Sequence, residues 1–153
     1  MWTALAAVLL AALLAAAPGP ARAGEAAPAS TPSELRAAAL RAAGLVNLAD
    51  VAPGVLIDIR YATAQNTFGR VLYPSAACWL RVEAAEAVAR AQAALKPKGL
   101  GLKVWDCYRP FSVQESLWAD VPNPDFVAEP RRDAAGTPVL GSKHNRGKAV
   151  DIT

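Results

Sequence analysis

Ser142-Lys-His-Asn-Arg-Gly-Lys-Ala-Val-Asp-Ile-Thr153 holds the single histidine of the 153-residue chain, His144, and places Asp151 seven residues after it. Gly147 between them permits a sharp backbone turn. Beyond it, Ala149 to Thr153 alternates in the manner of a β-strand. A histidine on a loop and an aspartate on the strand that follows can converge on one point. Imidazole nitrogen and carboxylate oxygen are both good Zn²⁺ ligands, and two of them make half of a tetrahedral site. Alone, a histidine in such a loop reads equally well as a solvated or locally hydrogen-bonded residue.

Working back from this stretch, Leu100 to Asp106 reads as a strand, with Leu102 and Val104 facing one way and Lys103 and Trp105 the other. Cys107-Tyr108-Arg109-Pro110 leaves it, and a short helix over Ser112 to Ala119 turns Val113 and Leu117 inward. Leu80 to Leu95 reads as the longest helix, its apolar stripe formed by Leu80, Ala84, Ala87, Val88, Ala91 and Leu95. Val55 to Tyr61 is a strand with Val55, Ile57, Ile59 and Tyr61 on one face. Residues 62–74 are an irregular connection with Asn66, Gly69 and Pro74 as turn residues. Thr31-Pro32-Ser33-Glu34 starts a helix with a capping box, and Gly44 ends it. Leu35, Ala38, Ala39 and Ala42 form its apolar face. Residues 122–140 read as a surface excursion.

The order of elements predicts an α+β fold, a small sheet covered by helices. A parallel α/β unit fits the same order, but no glycine-rich phosphate loop accompanies it.

The N-terminus reads as a targeting segment. Trp2 to Ala17 is almost wholly apolar, Pro18-Gly19-Pro20 breaks it, and Ala21-Arg22-Ala23 has the small-x-small form of a signal-peptidase site. Cleavage after Ala23 would send the chain to the periplasm or outside the cell, with no stable membrane span. Residues 24–50 then form a tether and the first helix, and 51–153 the main domain. The formal net charge is +3, with the basic residues scattered. No stripe of Lys/Arg with interleaved aromatics marks a nucleic-acid surface. The two cysteines, Cys78 and Cys107, suit a disulfide in an oxidising compartment, and equally suit two buried thiols.

Three islands stand at strand ends: Tyr61-Ala-Thr63 with Asn66; Asp106-Cys-Tyr-Arg109-Pro110; and Ser142-x-His144-x-x-Gly147-x-Ala149-Val150-Asp151. Together, from about Val55 to Thr153, they resemble the zinc D-alanyl-D-alanine dipeptidases, the vancomycin-resistance type and its housekeeping relatives. Relatives read Asn-Phe-x-Gly after Tyr-Ala-Thr, where this chain reads Asn66-Thr67-Phe68-Gly69.

The resemblance implies a DD-peptidase, hedgehog-like α+β domain with a small, mainly antiparallel sheet. It implies one catalytic Zn²⁺ held by His144 and Asp151, and Arg109 as the donor that stabilises the oxyanion. Tyr61 and Ser142 are expected to hold the substrate, a D-Ala-D-Ala dipeptide or related peptidoglycan peptide. In the family a later Glu-x-x-His segment supplies the third zinc ligand and the general base, and these 153 residues contain no counterpart. The expectation is therefore the front part of a dipeptidase domain, incomplete at its C-terminus and inactive by itself. A D-alanyl-D-alanine carboxypeptidase of the same superfamily, or a non-catalytic peptidoglycan-binding domain, are the alternatives.

Overall fold

The computed structural model describes residues 30–153. The expected targeting segment, 1–23, and the expected tether up to residue 29 lie outside the described residues. No helix among the described residues is long and apolar enough to cross a membrane.

Helix α1 (Pro32–Ala42) begins as its sequence dictates. The Thr31 hydroxyl accepts from Glu34 N–H, and the Glu34 carboxylate accepts from Thr31 N–H. Its expected apolar face is turned outward, with Leu35 exposed. Ala37 and Leu40 are the half-buried positions instead, and no residue of α1 is fully buried. An alanine-rich stripe carries little burial energy, so the helix rotates to suit its neighbours, Arg41 lying over the Trp79 ring.

Two short elements follow, neither predicted. Strand β1 (Leu45–Asn47) leads into helix α2 (Leu48–Val51), which the Asn47 side chain caps. Leu45 and Leu48 are buried, so the packed unit takes in residues ahead of the boundary expected at Val51.

Strand β2 is only Leu56–Ile57. The inward alternation of Val55 and Ile59 holds, both being buried. After Asp58 N–H reaches Val104 O, however, the chain closes a 3-10 turn over Arg60–Ala62. β3 (Trp79–Arg81) takes Leu80 from the expected helix and pairs antiparallel with β1, Val46 opposite Leu80. Helix α3 (Val82–Leu95) starts after it. Its inner face is Ala85 and Val88 with Ala84, Ala89 and Leu95 half-buried, while Ala87 and Ala91 are exposed. The stripe is rotated because Gln92 belongs to the inner side. Its side chain accepts from Leu102 N–H and donates to Gly54 O, tying α3 to the start of the next strand.

β4 (Lys103–Asp106) is the centre of the fold. β2 lies parallel to it, α3 serving as the crossover, and β7 (Asp151–Ile152) lies antiparallel on the other side. The central sheet is therefore mixed, and the described residues form three small sheets where one mainly antiparallel sheet was expected. The third is a hairpin, β5 (Arg131–Arg132) with β6 (Pro138–Leu140), exposed and inside the stretch read as a surface excursion. Asp133 Oδ1 accepts from Ala135 and Thr137 N–H to form its turn, and Arg132 pairs with Glu115 of helix α4 (Phe111–Asp120).

The core runs under β4 and gathers Leu48, Ile59, Leu80, Val88, Val104 and Leu117. One glycine is fixed by both backbone and space. Gly147 has φ +65°, and a Cβ there would lie 2.5 Å from Leu45 Cδ2 and 3.2 Å from the backbone nitrogen of Arg81. Gly147→Ala is therefore expected to destabilise the fold by at least about 2 kcal/mol, since a left-handed alanine is strained, the Leu45 side chain would have to move, and the Arg81 backbone stands close behind it. Urea denaturation measures it.

Candidate functional site

His144 lies on a 3-10 turn, Lys143–Arg146. The turn is built by its own polar residues. Ser142 Oγ accepts from His144 N–H at 3.2 Å, and Asn145 Oδ1 accepts from Ser142 N–H at 2.7 Å. Asn145 Nδ2 also donates to Arg109 O, and Arg109 N–H donates to His144 O, so the turn is bolted to the Asp106–Pro110 segment. Gly147 ends the turn in the left-handed conformation. The chain then enters β7, where Asp151 stands opposite Asp106.

His144 is mostly buried and its two nitrogens face different partners. Nδ1 lies 2.8 Å from Cys107 O. A carbonyl oxygen only accepts, so Nδ1 carries a proton, and in the neutral ring Nε2 then keeps its lone pair. Nε2 lies 3.5 Å from Asp151 Oδ1. Two acceptors facing one another at that distance are satisfied by a cation placed between them. Tetrahedral coordination at about 2.0–2.2 Å sets neighbouring donor atoms roughly 3.3–3.6 Å apart, which is this spacing. The pair fits a zinc ion in chemistry and in distance. The tautomer also fits: a metal-binding imidazole characteristically donates its second N–H to a carbonyl or carboxylate.

Asp106 joins these two residues in the one group of potential metal donors among the described residues, the three ligand atoms lying within 4.8 Å of one another. Its own oxygens are already engaged. Oδ1 accepts from Tyr73 OH at 2.6 Å and Cys107 N–H at 2.8 Å; Oδ2 accepts from Arg109 Nη2 at 2.6 Å. It also sits on the Nδ1 side of the imidazole, 3.6 Å away, rather than between Nε2 and Asp151. Asp106 thus anchors Arg109, and His144 Nε2 and Asp151 Oδ1 are the donor atoms of this group without a hydrogen-bond partner among the described residues.

Arg109 is buried, 8% exposed. Nη1 donates to Gln114 Oε1, and Gln114, wholly buried, is itself held by Ala128 O. The Tyr61 ring lies under the guanidinium at 5.4 Å. Burial works against the charge, but the Asp106 carboxylate outweighs it and leaves the Arg109 pKa above the ordinary arginine value. Arg109 Nε is buried with no hydrogen-bond partner. A fixed, desolvated cation with a spare donor is suited to meeting negative charge. Burial, then the nearby Asp106 carboxylate, drives the Tyr73 phenol far above its ordinary pKa, so it stays a donor.

A cleft of about 870 Å³ opens beside Asp106 and Asp151, with Arg109 and His144 set behind its walls rather than lining it. Arg60, Tyr61, Asn66, Trp105, Asp106 and Asp151 are among its walls. Tyr61 is thus at the cleft, packed against Tyr73 and Phe68. Ser142 is not: its hydroxyl caps the His144 turn, and the residue borders a different groove beside Phe111 and Leu140. Cys78 and Cys107 are bonded through sulfur, their Cα atoms 5.3 Å apart.

Asp106 and Asn145 are the residues that sequence reasoning left without a role. The alternation along β4 signals the first, since Leu102 and Val104 inward put Asp106 inward too. Nothing in the sequence distinguishes Asn145 from an ordinary turn residue.

A family model described as D-Ala-D-Ala dipeptidase, of the M15 peptidases, matches residues 41–153. The chain is similar to the D-alanyl-D-alanine dipeptidase of Escherichia coli K12, 36% identical over 109 residues, which is 71% of this chain and 52% of the relative. It is also similar to the D-alanyl-D-alanine dipeptidase of Enterococcus faecium, 30% identical over 122 residues, 72% of this chain and 60% of the relative. The chain thus spans 52–60% of the length of these curated relatives. With the match running from residue 41 through the three islands to Thr153, the chain belongs to the D-Ala-D-Ala dipeptidase family of M15 peptidases.

Proposed function

We propose that this chain carries the metal pair, the oxyanion arginine and part of the substrate cleft of an exported zinc dipeptidase acting on D-Ala-D-Ala. The observation that carries the reading is the facing pair His144 Nε2 and Asp151 Oδ1, 3.5 Å apart with Nδ1 committed elsewhere. The relatives' names supply the substrate class. The apolar leader with its Ala21-Arg22-Ala23 site, and the paired cysteines, support export.

His144 and Asp151 would hold the zinc ion, which when bound would supply Lewis acidity toward a peptide carbonyl. The protein's own residues do the rest. Asp106 holds Arg109 charged and in one orientation. Arg109 donates to the oxygen on which negative charge develops as the amide carbon becomes tetrahedral. Tyr61 supports the guanidinium from below and forms a wall of the cleft. Hydrolysis also needs a proton acceptor and, at a catalytic zinc, a third protein ligand. Among the described residues the one other donor in reach, Asp106, is committed to Arg109, Tyr73 and the Cys107 amide. The 153 residues by themselves are therefore expected to hold zinc weakly and to turn over little or no dipeptide.

Calorimetry with zinc present tests the substrate class independently of turnover. D-Ala-D-Ala is expected to bind and L-Ala-L-Ala not, with binding abolished by a chelator. Equal binding of both, or none, overturns the reading. Tighter binding of a pentapeptide ending in D-Ala-D-Ala than of the free dipeptide would instead favour the carboxypeptidase.

A further inference from the structure

The bond between Cys78 and Cys107 lies directly beneath the histidine turn. Both cysteines are buried, at 0% and 1% exposure. Cys107 has no side-chain group at the metal pair, yet both of its backbone polar groups serve the site. Its N–H donates to Asp106 Oδ1, and its carbonyl accepts the Nδ1 proton of His144. Two links tie this residue and its neighbour to the β3 segment: the sulfur–sulfur bond, and Tyr108 N–H donating to Trp79 O at 2.9 Å.

The same segment grips the far end of the histidine turn. Arg81 N–H donates to Gly147 O at 2.8 Å, and Arg81 Nε to Arg146 O at 3.3 Å. Residues 78–81 therefore span the turn from below. One end sets where the Cys107 carbonyl stands; the other sets where the turn finishes.

We propose that the Cys78–Cys107 disulfide is a positioning device for His144. By fixing the Cys107 carbonyl it holds the imidazole in the Nδ1–H tautomer, with the Nε2 lone pair directed at Asp151. A neutral imidazole in water populates both tautomers. One with its proton on Nε2 presents a donor where a metal needs a lone pair. The tautomer claim stands by itself; its consequence for metal affinity rests on the zinc reading above.

The acceptor is a backbone carbonyl, so no substitution deletes it. Only its placement can be altered, and Cys78→Ala does this without touching an atom of the site. His144 is the one histidine of the chain, so the ring ¹⁵N spectrum contains a single imidazole. In buffer alkaline enough that the ring spectrum is that of a neutral imidazole, the wild type is expected to show protonated Nδ1 and bare Nε2. Cys78→Ala is expected to show a mixture of tautomers, and zinc binding weaker by about 10-fold or more, the scale on which lost orienting partners act.

Val88→Ala, in the buried face of α3, is the control for lost stability alone and is expected to leave the ring spectrum unchanged. An unchanged ring in Cys78→Ala, or an equal change in Val88→Ala, overturns the proposal. If Cys78→Ala does not fold, Cys78→Ser, closer in size, carries the same comparison. Failure of both to fold beside a folded Val88→Ala assigns the bond to stability alone, and overturns it too. A tautomer change with no zinc bound by any of the proteins would leave the positioning role standing and remove the metal reading.

Discussion

Asp106→Ala is expected to destabilise the protein by about 3–5 kcal/mol, the range for removing one partner of a buried ion pair. Three donors lose their acceptor at once: Arg109 Nη2, Tyr73 OH and Cys107 N–H. Arg109 is the largest contribution, because a buried guanidinium cannot shed its proton and has no water to turn to. Gln114 Oε1 would be its one remaining hydrogen-bond partner. Asp106→Asn, nearly the same size, should still be strongly destabilising. Its oxygen can serve Tyr73 and Cys107, but its amide N–H₂ then faces Arg109 Nη2, donor against donor. The double variant Asp106→Leu/Arg109→Met should recover most of the loss, since it removes both charges together. Guanidinium denaturation of the four proteins measures this. A loss under about 1 kcal/mol in Asp106→Ala would mean that Arg109 reaches solvent, and the account of a fixed oxyanion donor would go with it.

The second large effect is on metal binding. His144→Ala and Asp151→Ala are each expected to weaken zinc by more than about 100-fold, beyond what loss of an orienting partner does. The two should differ in everything else. Asp151 is exposed, and its replacement is expected to leave stability within about 0.5 kcal/mol. His144 also donates to Cys107 O, so its replacement should lower stability as well. Titration calorimetry beside thermal unfolding separates the two quantities. Stoichiometric zinc retained in Asp151→Ala would remove Asp151 as a ligand. If Asp106→Asn lost zinc as completely as His144→Ala while still folded, the ligand would be Asp106, and Arg109 would need another anchor.

What the sequence made legible follows from which forces are local. The Thr31–Glu34 capping box is a matter of four residues, and it forms as read. The Gly147 turn forms for the same reason. The inward alternation Leu102, Val104 is carried by the strand itself. Helix faces built from alanine were not legible. Ala87 and Ala91 read as core by periodicity and lie outside, because one polar residue, Gln92, finds two backbone partners across the fold and sets the rotation. Strands β1, β5 and β6 are three, two and three residues long, too short for any period to register; their pairing partners define them, for β1 a strand more than thirty residues away.

The site divides in the same way. His144, Asp151, Arg109 and Tyr61 were named from motif resemblance, and the fold brings their side chains to one region. Ser142 belongs to the same motif, but its hydroxyl is spent capping the turn. The motif gives the residue type and leaves open whether it serves the turn or the cleft. Asp106 was visible as a letter of the Asp-x-Tyr-Arg-Pro signature. Its meaning as the counter-charge of Arg109 emerges only when β4 ends and the chain doubles back within three residues.

The most direct test of the central claim is zinc-edge anomalous diffraction from crystals of this protein grown with zinc. One strong anomalous peak is expected within about 2.0–2.2 Å of both His144 Nε2 and an Asp151 carboxylate oxygen, with Nδ1 still bonded to Cys107 O. A peak at Nδ1, or on Asp106 with Asp151 uninvolved, or no peak near His144 at all, would contradict it.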